Sequence, residues 1–224
     1  MSVTALFILL FAGIAGWWFF ARQLTAKPWV KAQREADDRY AGGVSLTLVP
    51  ERIGLWVLLA VITSFFGLFI SAYSMRMMLA DWTPFADPGL LWFNTLLLFI
   101  SSAAFQWTRS AAERGDAART KLGLIAAGLF ALAFLAGQFR AWDDLHQSGQ
   151  YMGSDAAIAF FYLLTGMHAL HVLGGLAVWG KTTARMWLPD ADFSDLRLSV
   201  QLCTVYWHFL LVVWLVLFAL LLTT

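Results

Sequence analysis

Three of the four histidines in this 224-residue chain stand inside long uncharged stretches, His168 and His171 in one and His208 in the next. An imidazole in such a setting can ligate haem or a metal, relay a proton, or hydrogen-bond to a neighbouring helix. His168 and His171 are spaced i, i+3 and so share a helix face, which also carries Thr165 and Gly175. His171 lies nine residues before Gly180, and His208 nine residues after Ser199. If the two stretches are antiparallel helices rising about 1.5 Å per residue, the two rings sit at matching depth, and a His171–His208 contact is geometrically reasonable. Haem ligation would need two imidazoles facing each other across a cofactor-sized gap. Three histidines on two consecutive helices are too few for the paired sites of a two-haem b-type cytochrome. The expected role is interhelical hydrogen bonding, each ring neutral and bonded to the other or to a hydroxyl such as Tyr206 or Thr165. Gln201, Thr204 and His208 form a polar stripe on the last stretch, with the same expected role.

Other candidate chemistry is sparse. Asp143, Asp144 and His146 are metal-ligand types, but between Trp142 and Tyr151 they read as a solvated outer loop. Cys203 is the one cysteine, which excludes an intramolecular disulfide and a cysteine-built metal site; it reads as a small buried residue. No nucleophile–base constellation, phosphate loop or dinucleotide fingerprint occurs. No Asp, Glu, Lys or Arg is left near the centre of any uncharged stretch, whereas pumps and secondary transporters use such groups as relays or ion sites. Net charge is +1 and no basic patch exists, which excludes nucleic acid as a partner.

The elements that must position these residues are membrane helices. The chain is 60% hydrophobic and 13% charged, about half the roughly 25% charge of a soluble domain, so it cannot cover a water-facing surface. Six uncharged runs stand out: 1–21, 53–75, 88–108, 122–139, 156–180 and 198–224. The fourth, with 18 residues, is the shortest, yet within the range of about 17–25 for a spanning helix. Lys and Arg number six between the first two runs, then one, four, one and three in the following connections, and none after the last. That alternation puts the rich segments in the cytoplasm and both termini outside. Removing any one run breaks it, so six spans are predicted. No Lys or Arg precedes the first run and no cleavage site is clear, so residues 1–22 are expected to stay as a helix. Residues 23–52 read as a solvated cytoplasmic connector, in which Pro28 could open a short surface helix and Gly42-Gly43 close it. Small residues predict close helix packing: Ser64, Gly67, Ser71 and Ser74 on the second run, and Gly166, Ala169, Gly174 and Gly175 on the fifth.

Four stretches carry more specific motifs. One runs from Phe160 to Gly175 and contains Gly166, His168 and His171. Another is Tyr206-Trp207-His208-Phe209, continuing through Trp214 to Phe218. The third is Ile53-Gly54-Leu55-Trp56 to Ala60, with Phe65-Phe66 and Ala72-Tyr73 after it, and the fourth is Leu91 to Thr95. Together, from Pro50 to the C-terminus, they resemble subunit III of the haem–copper respiratory oxidases. The resemblance implies an all-α polytopic membrane bundle, with a five-helix subunit III core at 53–224 and one additional N-terminal span. It implies a chain with no catalytic, metal or cofactor site of its own, haem and copper being held by partner subunits. Those partners are the catalytic subunit I, subunit II and membrane phospholipids, in the inner membrane of a bacterial cell. Such a subunit stabilises the catalytic one, supports proton uptake and prolongs turnover, while the complex reduces oxygen to water and pumps protons.

This sequence departs from the family at two carboxylates. The usual Glu of the second run falls at Ile62, and the usual Asp after the Tyr206–Phe209 motif falls at Leu211, so roles resting on them do not carry over. Seven-helix members also hold phospholipid in a cleft beside their first two helices, of which only one is expected here. Alternatives within the family are the homologous subunit of a quinol oxidase or a nitric oxide reductase. From other classes, a haem-binding electron carrier is disfavoured by the histidine count, and a transporter by the uncharged span centres.

Overall fold

A computed structural model of the chain describes residues 50–83, 89–151, 153, 155–187 and 193–222. The chain divides into two units, Met1–Leu48 and Val49–Thr224. The first unit lies outside the described residues, and with it the expected first span and nearly all of the connector. The second is a bundle of five helices: α1 (Pro50–Arg76), α2 (Leu90–Glu113), α3 (Ala117–Gln147), α4 (Ala156–Arg185) and α5 (Phe193–Leu222). Each is long and apolar enough to cross a membrane, and no strand occurs among the described residues.

Local sequence sets the helix ends. Asp116 starts α3 by accepting a hydrogen bond from the Arg119 amide (3.0 Å), and Asp155 starts α4 by accepting from the Ala157 amide (3.0 Å). Each satisfies an amide that has no partner within its own helix. Gly115 (φ 76°) and Gly149 (φ 82°) follow α2 and α3 in the left-handed conformation that glycine adopts without strain. α3 extends well past the uncharged run 122–139. Its 31 residues make it about 46 Å long, so its charged ends project beyond the hydrocarbon. Asp143, Asp144 and His146 therefore lie on the last turns of a helix, where an outer loop was expected. There Arg140 pairs with Asp144 (3.1 Å) and Asp143 (3.7 Å). At the end of α1, Arg76 grips Asp81 through two hydrogen bonds of 2.7 and 2.6 Å, which hold the Asp81 carboxyl below the usual carboxylate range.

α2, α3, α4 and α5 enclose the main core, where Leu98, Phe105, Phe134, Phe161, Trp207 and Trp214 are buried. Small residues let the helices approach. Gly128 on α3 lies under the Trp179 ring of α4, whose indole N–H donates to the Leu124 carbonyl (2.9 Å). Gly175 on α4 receives the rings of Trp207 and Tyr206 from α5. α1 packs at the edge through a second cluster, Ile62, Phe66 and Tyr73 against Leu164, Val213 and Leu217. The small stripe on α1 does not serve that contact: Ser64, Gly67 and Ser71 are exposed, and nothing lies within 4 Å of a side chain built at Gly67. The hydrophobic residues, not the small ones, decide which face of α1 turns inward.

Candidate functional site

The three histidines lead to three different places. His168 is fully buried, its ring 5.8 Å from that of Phe134 on α3 and 5.1 Å from that of Trp214 on α5. Neither of its nitrogens has a hydrogen-bond partner among the described residues, and the buried amides of Asn94 and Gln138 share that state. These two were missed in the sequence because Asn and Gln inside apolar runs carry no periodic signal of their own. Asn94 abuts Gly137, so a side chain at Gly137 would overlap its amide. Gln138 lies one turn from Phe134, on the α3 face that meets His168.

His171 turns toward α1, its ring 5.5 Å from that of Phe66. Its Nδ1 lies 2.7 Å from the Met167 carbonyl of its own helix, and the Tyr206 hydroxyl donates to the His171 backbone carbonyl (3.0 Å). His208 turns the other way, its Nδ1 3.2 Å from the Ser102 hydroxyl of α2. Of the two alternatives, a contact between the rings or a bond to a hydroxyl, His208 takes a hydroxyl, that of Ser102, and His171 takes the Met167 carbonyl of its own helix. Equal depth fixes the height of two residues, but the azimuth is set by which neighbours each helix face meets. Here α1 and α2 flank the α4–α5 pair and draw the two rings apart. The described residues hold no group of three His, Cys, Asp or Glu that could bind a metal.

Most of the remaining sequence candidates touch a neighbouring helix, and Trp56 does not. Thr165 accepts from the Trp142 indole (3.0 Å) and donates to the Phe161 carbonyl (2.6 Å). Trp214 donates to Thr95 (2.9 Å), tying α5 to α2. Trp207 is buried against Phe105, ring centres 4.5 Å apart. Gly166 sits 3.9 Å, measured from a built side chain, from the Trp142 ring. Trp56 is 66% exposed. Gln201 is the one that joins three helices, accepting from Arg52 of α1 (3.3 Å) and donating to Glu113 of α2 (3.4 Å). Cys203 is buried beside Thr182, as expected. Ile62 is buried, 2% exposed, among apolar side chains, and Leu211 packs on the edge of the main core.

Between α1, α4 and α5 runs an apolar crevice of about 400 Å³, lined by Leu55, Leu58, Leu170, His171, Gly174 and Val178 among others. Leu55 and Leu202 also line an adjoining hollow of about 220 Å³ that carries Arg52, Arg109 and Gln201. An acyl-chain-sized groove thus opens beside a cationic rim.

A five-helix bundle with buried polar contacts and no reactive constellation among its described residues defines a class, multi-pass helical membrane proteins. The comparisons define the family. The profile described as "Cytochrome c oxidase subunit III" matches residues 41–223, and the chain belongs to that family. It is 35% identical over 124 residues to a probable cytochrome c oxidase subunit 3 of Mycobacterium bovis, covering 55% of this chain and 61% of that relative. To the probable cytochrome c oxidase subunit 3 of Mycobacterium leprae it is 32% identical over 161 residues, 69% and 77% of the two chains. To the cytochrome c oxidase subunit 3 of Synechocystis it is 29% identical over 160 residues, 70% and 67%.

Proposed function

We propose that this chain is the non-catalytic subunit III of a bacterial terminal haem–copper oxidase, packed against the catalytic subunit that holds the redox centres. The observation that carries this reading is the family match across all five helices. In this role the bundle braces the catalytic subunit while that subunit reduces oxygen and pumps protons. The relatives are named for cytochrome c oxidase, which favours that complex over a quinol oxidase or a nitric oxide reductase. The chain lies in the inner membrane with its Lys- and Arg-rich connections in the cytoplasm and both termini in the periplasm. The apolar crevice beside Arg52 and Arg109 supports membrane phospholipid as a further partner, since an acyl chain fills the groove while its phosphate meets the guanidinium groups.

Affinity purification of the tagged full chain from mild detergent tests the reading. A haem–copper catalytic subunit should accompany it, and the chain separated from that partner should give a flat reduced-minus-oxidised spectrum in the haem region. A stoichiometric b-type band in the separated chain overturns the assignment, as does purification with no oxidase subunit.

A further inference from the structure

The polar groups on the outside of the bundle are distributed unevenly. Ser102 is the thirteenth of the 24 residues of α2, and His208 is the thirteenth of the 27 residues of the span Leu196–Leu222. Both therefore stand at mid-membrane. Ser102 is buried, but His208 is exposed, and so is Gln106, one turn further along α2. Both exposed side chains lie along the outer seam between α2 and α5. The seam also presents Phe99 and Trp92 from α2 and Val212 from α5, all well exposed. Trp92 meets Phe218 across it, with ring centres 4.8 Å apart.

Lipid is a poor neighbour for this surface. An exposed hydroxyl on a membrane helix can satisfy itself, as Thr63 and Ser64 do by donating to the carbonyls of Leu59 (2.8 Å) and Ala60 (3.0 Å). The amide of Gln106, with two donors and an oxygen, makes no hydrogen bond to any described residue, and hydrocarbon offers it none. Polar side chains at this depth normally face protein. Two of them on one seam, framed by large aromatic and aliphatic side chains, make an apolar surface with hydrogen-bonding points.

We propose that the α2–α5 seam is the docking surface for a transmembrane helix of another subunit, one that presents hydrogen-bonding side chains to His208 at mid-membrane and to Gln106 about 6 Å nearer the α2 C-terminus. The identity of that subunit as the oxidase catalytic subunit rests on the function proposed above, whereas the choice of face does not.

A photoreactive amino acid placed at Phe99 or Val212 in the full chain, and at Leu129 on the outer face of α3 as a comparison, tests this in the native membrane. Irradiation should join the seam positions to one different membrane protein, and Leu129 to lipid. Seam crosslinks to lipid alone, within the same chain or to a second copy of it overturn the proposal. A crosslink to a membrane protein that is not an oxidase subunit keeps the docking face and overturns the functional reading. Crosslinks to an oxidase subunit from Leu129 and not from the seam do the reverse. The variant Gln106→Leu gives a second readout. On a docked seam it weakens retention of the chain in its complex, by about threefold for an average interhelical hydrogen bond. On a lipid-facing seam it removes a desolvation penalty and leaves retention unchanged or improved, which contradicts the proposal.

Discussion

The buried polar side chains of this bundle fall into two kinds with opposite expectations. Trp214 spends its indole N–H on Thr95 at 2.9 Å and packs against Phe134, His168 and Phe218. Trp214→Phe removes that bond and leaves a void, so the thermal midpoint of the purified chain should fall, by about 1 kcal/mol or more in stability. His168 has no hydrogen-bond partner among the described residues, and an unmet buried polar group costs about 1–3 kcal/mol. His168→Leu keeps the volume and removes the penalty, so the same midpoint should hold or rise. A clear drop with His168→Leu would show that the ring is satisfied after all, most simply by water shared with Gln138. The absence of carboxylates at Ile62 and Leu211 is tested by a hydrophobic carbodiimide, which labels protonated acids in the bilayer. No labelling is expected within the five uncharged runs from 53–75 to 198–224, and a labelled acid at bilayer depth refutes the assigned span limits.

Glycine distinguishes the packed helix faces from the open ones. A methyl at Gly175 would come within 2.6 Å of the Trp207 ring and 2.8 Å of the Tyr206 ring. Gly175→Ala must therefore push apart α4 and α5, an overpacking that costs about 1–3 kcal/mol. Gly67 on α1 meets nothing within 4 Å, so Gly67→Ala should leave the isolated chain as stable as before, or up to about 1 kcal/mol more stable through helix propensity. Thermal unfolding of the two variants side by side checks the contrast, and equal losses would mean that α1 is packed on the wrong face. The turn Arg114 to Asp116 between α2 and α3 carries the sense of the whole topology. A reporter fused there should read cytoplasmic, because Arg109, Arg114, Arg119 and Lys121 cluster around it; a periplasmic reading inverts every helix.

At the scale of the whole molecule, the sequence by itself determined the class, the five helices from Pro50 on and the family. Those depend on local quantities: apolar run length, the placement of Lys and Arg, caps such as Asp116 and Asp155, and motifs that keep their spacing along the chain. The run 122–139 still underestimated α3, because a helix continues through charged turns once its side chains can pair, as Arg140 does with Asp143 and Asp144. What the tertiary structure decided was direction around each helix axis. His171 and His208 have equal depth in the sequence and separate partners in the bundle, Met167 and Ser102. Ser64, Gly67 and Ser71 have the composition of a packing face and lie open, because Ile62, Phe66 and Tyr73 bury the opposite side of α1 against α4 and α5. Asn94 and Gln138 become buried polar groups only when α2 and α3 meet their neighbours. A sequence fixes the height of a residue on a membrane helix at about 1.5 Å per step, whereas its azimuth is set by the neighbours that pack around it.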